Sequence, residues 1–169
     1  SYSVTGVQTC ALPIWVVATK FGHKFKKHLD RDNVYAPADV QKQLEDSLRA
    51  LQTDVIDLYQ FHSGDDAMFQ TPGLWDMLNK QVQAGKIRHL GISIGSNRNI
   101  FQTDRATEVN AQAIQVVYNR INRNPEDEVL PSCARQDLGV LARVPLASGY
   151  LSGKYDVGAT FPANDVRHG

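Results

Sequence analysis

The stretch DVIDLYQFH, residues 54–62, is a nearly continuous apolar run that ends on a histidine. Such a run is typical of a strand covered on both faces in a parallel sheet. An amphipathic helix is predicted before it, beginning near Pro37, a residue favoured in a first helical turn. The apolar positions of this helix follow at spacings of four, four and three residues: Val40, Leu44, Leu48 and Leu51. A helix that leads directly into a buried strand indicates an α/β fold.

The same alternation repeats along the chain. Three further helices are predicted. The first contains Leu74, Leu78 and Val82 and ends at Gly85, a weaker one covers Arg98 to Val109, and the third covers Glu126 to Leu138. Residues 21–33, FGHKFKKHLDRDN, are predicted to form a polar loop. Four more apolar runs predict strands: WVVATK (15–20), KIRHLGIS (86–93), AIQVVYN (113–119) and VLARVPL (140–146). Strands separated by helices pair in parallel through right-handed crossovers, so we expect one parallel sheet.

Two architectures fit this pattern, a doubly wound open sheet and a (β/α)8 barrel. Polar residues or a proline close the successive strands: Lys20, His62, Ser93, Gln115 and Pro145. A barrel collects all such strand ends on one rim, whereas an open sheet collects only those at its switch point. No GxGxxG motif follows any strand, which leaves a Rossmann pyrophosphate site without support. The sequence therefore favours the barrel.

Composition limits the class of partner. The chain has 169 residues, of which 42% are hydrophobic and 21% charged, as in an ordinary globular domain. Eighteen basic residues balance eighteen acidic ones, so neither nucleic acid nor a membrane is expected as a partner. Cys10 and Cys133 have no metal-binding spacing, and a reducing cytoplasmic location is expected. The sequence makes no prediction of the oligomeric state.

Five segments together resemble the aldo/keto reductase family, in the order that the family has them. They are VVATKFG, SLRALQTDVIDLYQFH, GKIRHLGIS, IQVVYN and VPLASGYLSGKY, and they span Val16 to Tyr155. The resemblance implies a (β/α)8 TIM barrel that reduces a small carbonyl substrate, an aldehyde or ketone, to an alcohol by hydride transfer. The implied cofactor is NADPH, with NADH as the alternative.

The resemblance also implies site residues. In the family an Asp, a Tyr, a Lys and a His form the catalytic tetrad, and the Lys and His correspond to Lys20 and His62. The Tyr protonates the carbonyl oxygen, the Lys lowers the pKa of that Tyr, and the His orients the carbonyl. The family motif that carries the Asp and Tyr, D-T-A-x-x-Y-G, does not occur in this chain. We therefore expect the chain as written to be inactive.

The nicotinamide carboxamide is expected to contact Ser93 and Gln115. The family commonly has Ser-Asn where this chain has Ser93-Ile94, so the contact of that Asn is lost or passes to Asn97. The segment after the last strand resembles a loop that lies along the cofactor pyrophosphate. Its expected cofactor-binding residues are Leu146, Gly149, Leu151, Gly153 and Lys154.

The first residues do not resemble the family. VTGVQTCALPI, residues 4–14, corresponds to the in-frame translation of a common sequencing adapter. We expect residues 1–14 to be a non-native leader that does not pack as a regular strand. Residues 15–169 are then expected to be a partial barrel domain, the third to seventh strands, with about five of the eight βα units.

Two other functions remain open at this stage. One is a non-catalytic, cofactor-binding barrel that resembles the regulatory β subunits of potassium channels. The other is a barrel lyase in which Lys20 forms a Schiff base. For single residues, His23, His28, His89 and His168 are expected to be solvated, and Asp57 to be a structural rather than a catalytic carboxylate.

Overall fold

The structure is a computed structural model that describes residues 15–27, 30–165 and 167–168. The predicted leader, residues 1–14, lies outside the described residues. The strands and helices follow the chain as β1 (Ala18–Phe21), β2 (His23–Lys27), β3 (Asp30–Asn33), α1 (Pro37–Leu51), β4 (Ile56–His62), α2 (Asp66–Phe69), α3 (Leu74–Gln83), β5 (Ile87–Ser93), α4 (Ile100–Asp104), β6 (Ala111–Val117), α5 (Val129–Arg135) and β7 (Gly139–Arg143).

Five of these strands form one parallel sheet in the order β1-β4-β5-β6-β7. The spatial order follows the chain order, so the described strands contain no reversal of the kind that defines a switch point. The fold is therefore α/β with a parallel sheet, as the alternation of strands and helices predicts. The order from strand to strand is that of consecutive units in a (β/α)8 barrel.

Helix α1 forms where the apolar spacing predicts it. Pro37 occupies its first turn, and the helix ends before Gln52, which has left-handed backbone angles (φ 54°). Val40 and Leu44 are fully buried, whereas Leu51, the last predicted apolar position, is 43% exposed. The apolar stripe thus anchors the first three turns of the helix and not its end.

The helices cover one face of the sheet. Alternate residues of the strands point to that face and are almost completely buried: Tyr59, Phe61, Leu90, Ile92, Ile114 and Val116. Phe21 of β1 packs against Tyr59 with ring centroids 4.9 Å apart, and Trp75 of α3 lies 6.1 Å from the ring of Phe61. The hydrophobic core therefore lies between the sheet and the helices. The opposite face of the sheet carries the remaining alternate side chains of the strands.

The start of the chain differs from the prediction in two ways. β1 begins at Ala18, and Trp15 and Val16 are 69% and 81% exposed, so the run WVVATK is not a buried strand along its whole length. Residues predicted as a loop form an antiparallel hairpin in which His23 of β2 pairs with Asn33 of β3. All four residues of β3 are exposed and Phe25 of β2 is 64% exposed, so the hairpin has no buried apolar face and periodicity could not distinguish it from a loop.

Later helices are shorter than predicted. The pattern Arg98–Val109 is divided into α4 and a 3-10 turn at Thr107–Val109. The pattern Glu126–Leu138 contains Pro131, and α5 begins only at Val129, so that the proline lies in its first turn. None of the helices in the described ranges has the length and apolarity needed to cross a bilayer.

Candidate active site at the carboxyl ends of the strands

The face of the sheet that the helices leave uncovered carries an open cavity of about 550 Å³. Residues from five strands line it: Ala18, Thr19, Lys20, Phe25, Gln60, His62, Gln115 and Leu141. Because β1 and β7 are the two edges of the sheet, a cavity that touches both shows that the sheet curves around it. Three of the predicted site residues, Lys20, His62 and Gln115, are thus brought together.

Lys20 reaches the cavity from β1. It pairs in register with Gln60 of β4, which places both side chains on the same face of the sheet. Partial burial lowers the pKa of the Lys20 ammonium, and the positive charge of Arg143 lowers it further.

His62 is the last residue of β4 and enters the cavity from the neighbouring strand. The Tyr35 hydroxyl donates a hydrogen bond of 2.7 Å to the carbonyl oxygen of His62, which fixes the backbone at this strand end. Burial lowers the pKa of His62 to about 4, assisted by the positive charges of His23, Lys20, Arg31 and Arg143. The ring is therefore neutral at pH 7.

His23 does not have the solvated position that the sequence suggests. Its ring packs on that of His62 with centroids 4.2 Å apart, and its Nδ1 is buried without a hydrogen-bond partner in the described part of the chain. Burial and the charge of Arg31 lower the pKa of His23. The prediction was wrong because the hairpin folds β2 back toward the strand ends.

Ser93 lies beside the cavity without lining it. It is opposite both His62 and Gln115 in the register of the sheet, and it is 1% exposed. Its hydroxyl and the side-chain oxygen of Gln60 are buried and have no hydrogen-bond partner among the described residues. Unpaired buried polar atoms are unfavourable, so these two oxygens are available to a ligand or to water.

The loop after β7 stands apart from the cavity lining. Leu146 and Leu151 are 54% and 36% exposed, and Gly149 has a positive φ of 98°, next to Ser148 at 55°. The N–H groups of Gly149 and Leu151 donate to the carbonyl of Leu146 at 2.9 and 3.1 Å. In this conformation these two donors stabilise the loop itself.

Gly153 and Lys154 complete the predicted cofactor-binding set in that loop. Both are exposed, and Gly153 has a positive φ of 75°. The Lys154 N–H donates to the hydroxyl of Ser152 at 3.4 Å. Their roles toward a cofactor stay predictions.

Sequence reasoning missed Gln60, which points into the cavity, and Arg143, at the end of β7. Both lie on the cavity face by the two-residue period of the strands: Gln60 precedes His62 by two positions, and Arg143 follows Leu141 by two. The two-residue period of the strands was therefore the sequence signal that could have identified both residues.

Asp57 has structural partners. Its carboxylate accepts a hydrogen bond of 2.8 Å from the backbone N–H of Val17 and pairs with the Arg88 guanidinium at 2.7 Å. It does not line the cavity. No group of three or more His, Cys, Asp or Glu side chains in the described ranges is placed to hold a metal ion.

Comparison with known proteins gives a consistent result. Residues 14–168 match the sequence model of the aldo/keto reductase family. The chain is 32% identical over 157 residues to an aldo-keto reductase of Schizosaccharomyces pombe named yakc, with NADP(+) in its name, and the match covers 89% of this chain and 45% of that protein.

Two solved structures are similar in fold and sequence. The glycerol dehydrogenase AKR11B4 from Gluconobacter oxydans has a TM-score of 0.77 and 37% identity, over 89% of this chain and 46% of that one. The aldo-keto reductase AKR11C1 from Bacillus halodurans, in its holo form, has a TM-score of 0.74 and 30% identity, over 88% of this chain and 49% of that one. The chain thus spans about half the length of the proteins it matches.

Proposed function

The chain belongs to the aldo/keto reductase family, and from that premise we propose that it supplies the lysine and the histidine of a site that reduces aldehydes or ketones to alcohols with NADPH. The observation that carries the proposal is that Lys20 and His62, on separate strands, line one cavity in which burial depresses both pKa values. Perturbed titratable groups that converge in one cavity are typical of catalytic sites.

The residues around the cavity fit a nicotinamide cofactor. The unpaired oxygens of Ser93 and Gln60 and the side chain of Gln115 offer hydrogen-bonding groups of the kind that a carboxamide needs. A bound reduced nicotinamide supplies the hydride. NADPH rather than NADH is proposed because the curated relative carries NADP(+) in its name.

Lys20 and His62 have distinct proposed roles toward the carbonyl group. The Lys20 cation would lower the pKa of the tyrosine that acts as proton donor in the family. His62 is neutral at pH 7 because its pKa is about 4, so it orients the carbonyl by donating a ring N–H hydrogen bond. No tyrosine is among the described residues that line the cavity, so the proton that completes the alcohol would come from a group outside this set.

A cytoplasmic location completes the proposal. Cys133 is a free thiol with 1% exposure, and burial raises its pKa, which makes it an unreactive core residue. A chain with a buried free thiol suits a reducing compartment.

The proposal is tested with two proteins. The first is the purified 169-residue chain, for which we expect no NADPH oxidation with 4-nitrobenzaldehyde above that of a His62→Ala control. The second is a chimera in which residues 15–168 replace the matching segment of the Gluconobacter oxydans enzyme, which is 37% identical and similar in backbone. The chimera supplies the remaining segments of a full-length relative.

In the chimera we expect NADPH oxidation that falls about a hundredfold or more on Lys20→Met or His62→Ala, as for loss of a positioned polar catalytic group. His89→Ala, an exposed histidine of β5 outside the cavity, is the matched control and should leave kcat unchanged. A folded chimera that binds NADPH without turnover would favour the non-catalytic, regulatory function instead. Trapping of a carbonyl compound on Lys20 by borohydride would favour the lyase.

A further inference from the structure

Tyr35 joins the carboxyl ends of the two strands that carry Lys20 and His62. It lies in the segment between β3 and α1 and is only 5% exposed. The backbone N–H of Val34 donates a hydrogen bond of 2.9 Å to the carbonyl of Gly22, two residues after Lys20. The Tyr35 hydroxyl donates one of 2.7 Å to the carbonyl oxygen of His62. Two consecutive residues therefore hold both strand ends.

The ring of Tyr35 packs against two glycines, each of which follows one of these strand ends by two residues. A Cβ atom added at Gly22 would overlap Cε1 of the ring, and one added at Gly64 would lie 2.8 Å from its Cζ. Cβ atoms in proteins essentially never approach other heavy atoms within 3.0 Å, so the ring fills the space that a side chain would need. This close fit restrains the backbone just beyond Lys20 and just beyond His62.

The Tyr35 hydroxyl keeps its proton and stays a hydrogen-bond donor. Burial raises the pKa of Tyr35 to about 12, so the phenol is neutral throughout the neutral pH range. Its ring also packs on Phe61, the residue before His62, with ring centroids 4.8 Å apart. The hydroxyl therefore cannot leave the His62 carbonyl without loss of this packing.

These contacts restrain the side chains that enter the cavity. Because the carbonyl and the imidazole belong to the same residue, the hydrogen bond from Tyr35 restrains the backbone from which the His62 ring projects. His23 directly follows Gly22, and its ring packs on that of His62 with centroids 4.2 Å apart. Both rings are thus attached to backbone that Tyr35 contacts.

A second link between the same two strands lies at their amino ends. Asp57 of β4 accepts a hydrogen bond of 2.8 Å from the N–H of Val17, just before the start of β1. Asp57 does not line the cavity. It therefore provides a structural link between β1 and β4 against which the role of Tyr35 can be compared.

We propose that Tyr35 is a positioning residue, which sets the separation of Lys20 and His62 across the cavity and the orientation of the His62 ring. The inference rests on the proposed function, because that function assigns these two residues to carbonyl reduction. Tyr35 does not line the cavity and acts through the two strand ends that it holds. A displacement of about 1 Å in a catalytic group can lower a rate by about a hundredfold, so such a contact affects turnover.

Four variants separate positioning from structural support. Tyr35→Phe removes the hydroxyl and keeps the ring. Gly64→Ala keeps the hydroxyl and displaces the ring, whereas Gly139→Ala, where an added Cβ lies 3.5 Å from its nearest neighbour, is the matched glycine control. Asp57→Ala removes the link at the amino ends of the strands and is the matched control for Tyr35→Phe.

The first measurement needs no turnover. The full chain is labelled at histidine, and NMR gives the pKa of His62 and the nuclear Overhauser effect between the rings of His62 and His23. We expect Tyr35→Phe and Gly64→Ala to weaken this effect and to raise the pKa of His62 by about one pH unit, because the ring gains access to solvent. The two control variants should leave both readouts unchanged. Unchanged readouts in Tyr35→Phe, or an equal change in Asp57→Ala, would overturn the proposal.

The second measurement is made in the chimera. Tyr35→Phe should lower kcat about tenfold and leave the KM for NADPH unchanged, because His62 acts on the carbonyl group. Asp57→Ala should retain kcat. An unchanged kcat in Tyr35→Phe of an active chimera would overturn the proposal as well. A chimera without activity in any form would refute the proposed function alone, since the NMR readouts decide separately whether Tyr35 positions His62.

Discussion

His62 should make the stability of the chain depend on pH. In the folded chain burial lowers the pKa of its imidazole from 6.5 to about 4, and the positive charges of Lys20, His23, Arg31 and Arg143 face it. In the unfolded chain the imidazole is solvated and returns to its ordinary pKa. Between these two values the unfolded chain binds a proton that the folded chain excludes. The free energy of unfolding therefore falls as the pH is lowered from 7 toward 4.

The size of the effect follows from the gap between 6.5 and about 4. At full burial this gap would correspond to about 3 kcal/mol. His62 is partly exposed, so solvent screening reduces the expected contribution to roughly 1–2 kcal/mol. Replacement of His62 by Gln keeps a polar side chain of similar reach and removes the titration.

The assay is urea unfolding at pH 7, 6, 5 and 4 for the original chain, His62→Gln and His89→Gln. We expect the free energy of unfolding to fall less steeply with acid in His62→Gln, by roughly 1–2 kcal/mol between pH 7 and 4. His89 is an exposed histidine whose Nδ1–H donates a 2.8 Å hydrogen bond to Gln112 Oε1, so its variant controls for the general effect of losing a histidine. Parallel pH profiles for the original chain and His62→Gln would refute the argument.

Two further predictions concern the framework of the site. Leu44→Ala removes a fully buried side chain of α1 and should lower the free energy of unfolding by about 2–5 kcal/mol, whereas Leu51→Ala, 43% exposed in the same helix, should change it by less than about 0.5 kcal/mol. Asp57→Asn weakens an ion pair with Arg88 at a site only 16% exposed and should lower the free energy of unfolding by about 1–2 kcal/mol. Asp46→Asn, an exposed carboxylate on α1, should have no measurable effect. Urea unfolding at pH 7 measures the free energy of unfolding of all four variants. Equal losses for Leu44→Ala and Leu51→Ala, or for Asp57→Asn and Asp46→Asn, would contradict the argument from burial.

The central strands were predictable because their apolar runs are closed by polar residues. β4 and β5 end at His62 and Ser93, where the sequence places their ends. The start of the first strand was not predictable from its apolar residues. An apolar residue such as Trp15 is buried only if a neighbouring element covers it, and here its side chain is 69% exposed. The hairpin was not predictable because its pairing depends on tertiary position and not on a hydrophobic period.

The site was predictable only where a residue ends a strand. Lys20 and His62 converge because parallel strands bring their carboxyl ends to the same edge of the sheet. His23 comes close to His62 through the fold of the hairpin, which no local pattern encodes. Ser93 occupies the expected register on the cavity face, between His62 and Gln115, yet it does not line the open cavity because its side chain is almost completely buried.

The net charge of the chain does not indicate how charge is distributed around the cavity. Eighteen basic and eighteen acidic residues cancel over the chain. The cancellation is not local, because several carboxylates pair with cations far from the cavity, as Glu45 does with Lys86 and Glu126 with Arg123. The cations around the cavity then remain without an acidic counterpart among the residues that line it. The field at a partly enclosed site thus depends on the charges that face it and not on the net charge of the chain.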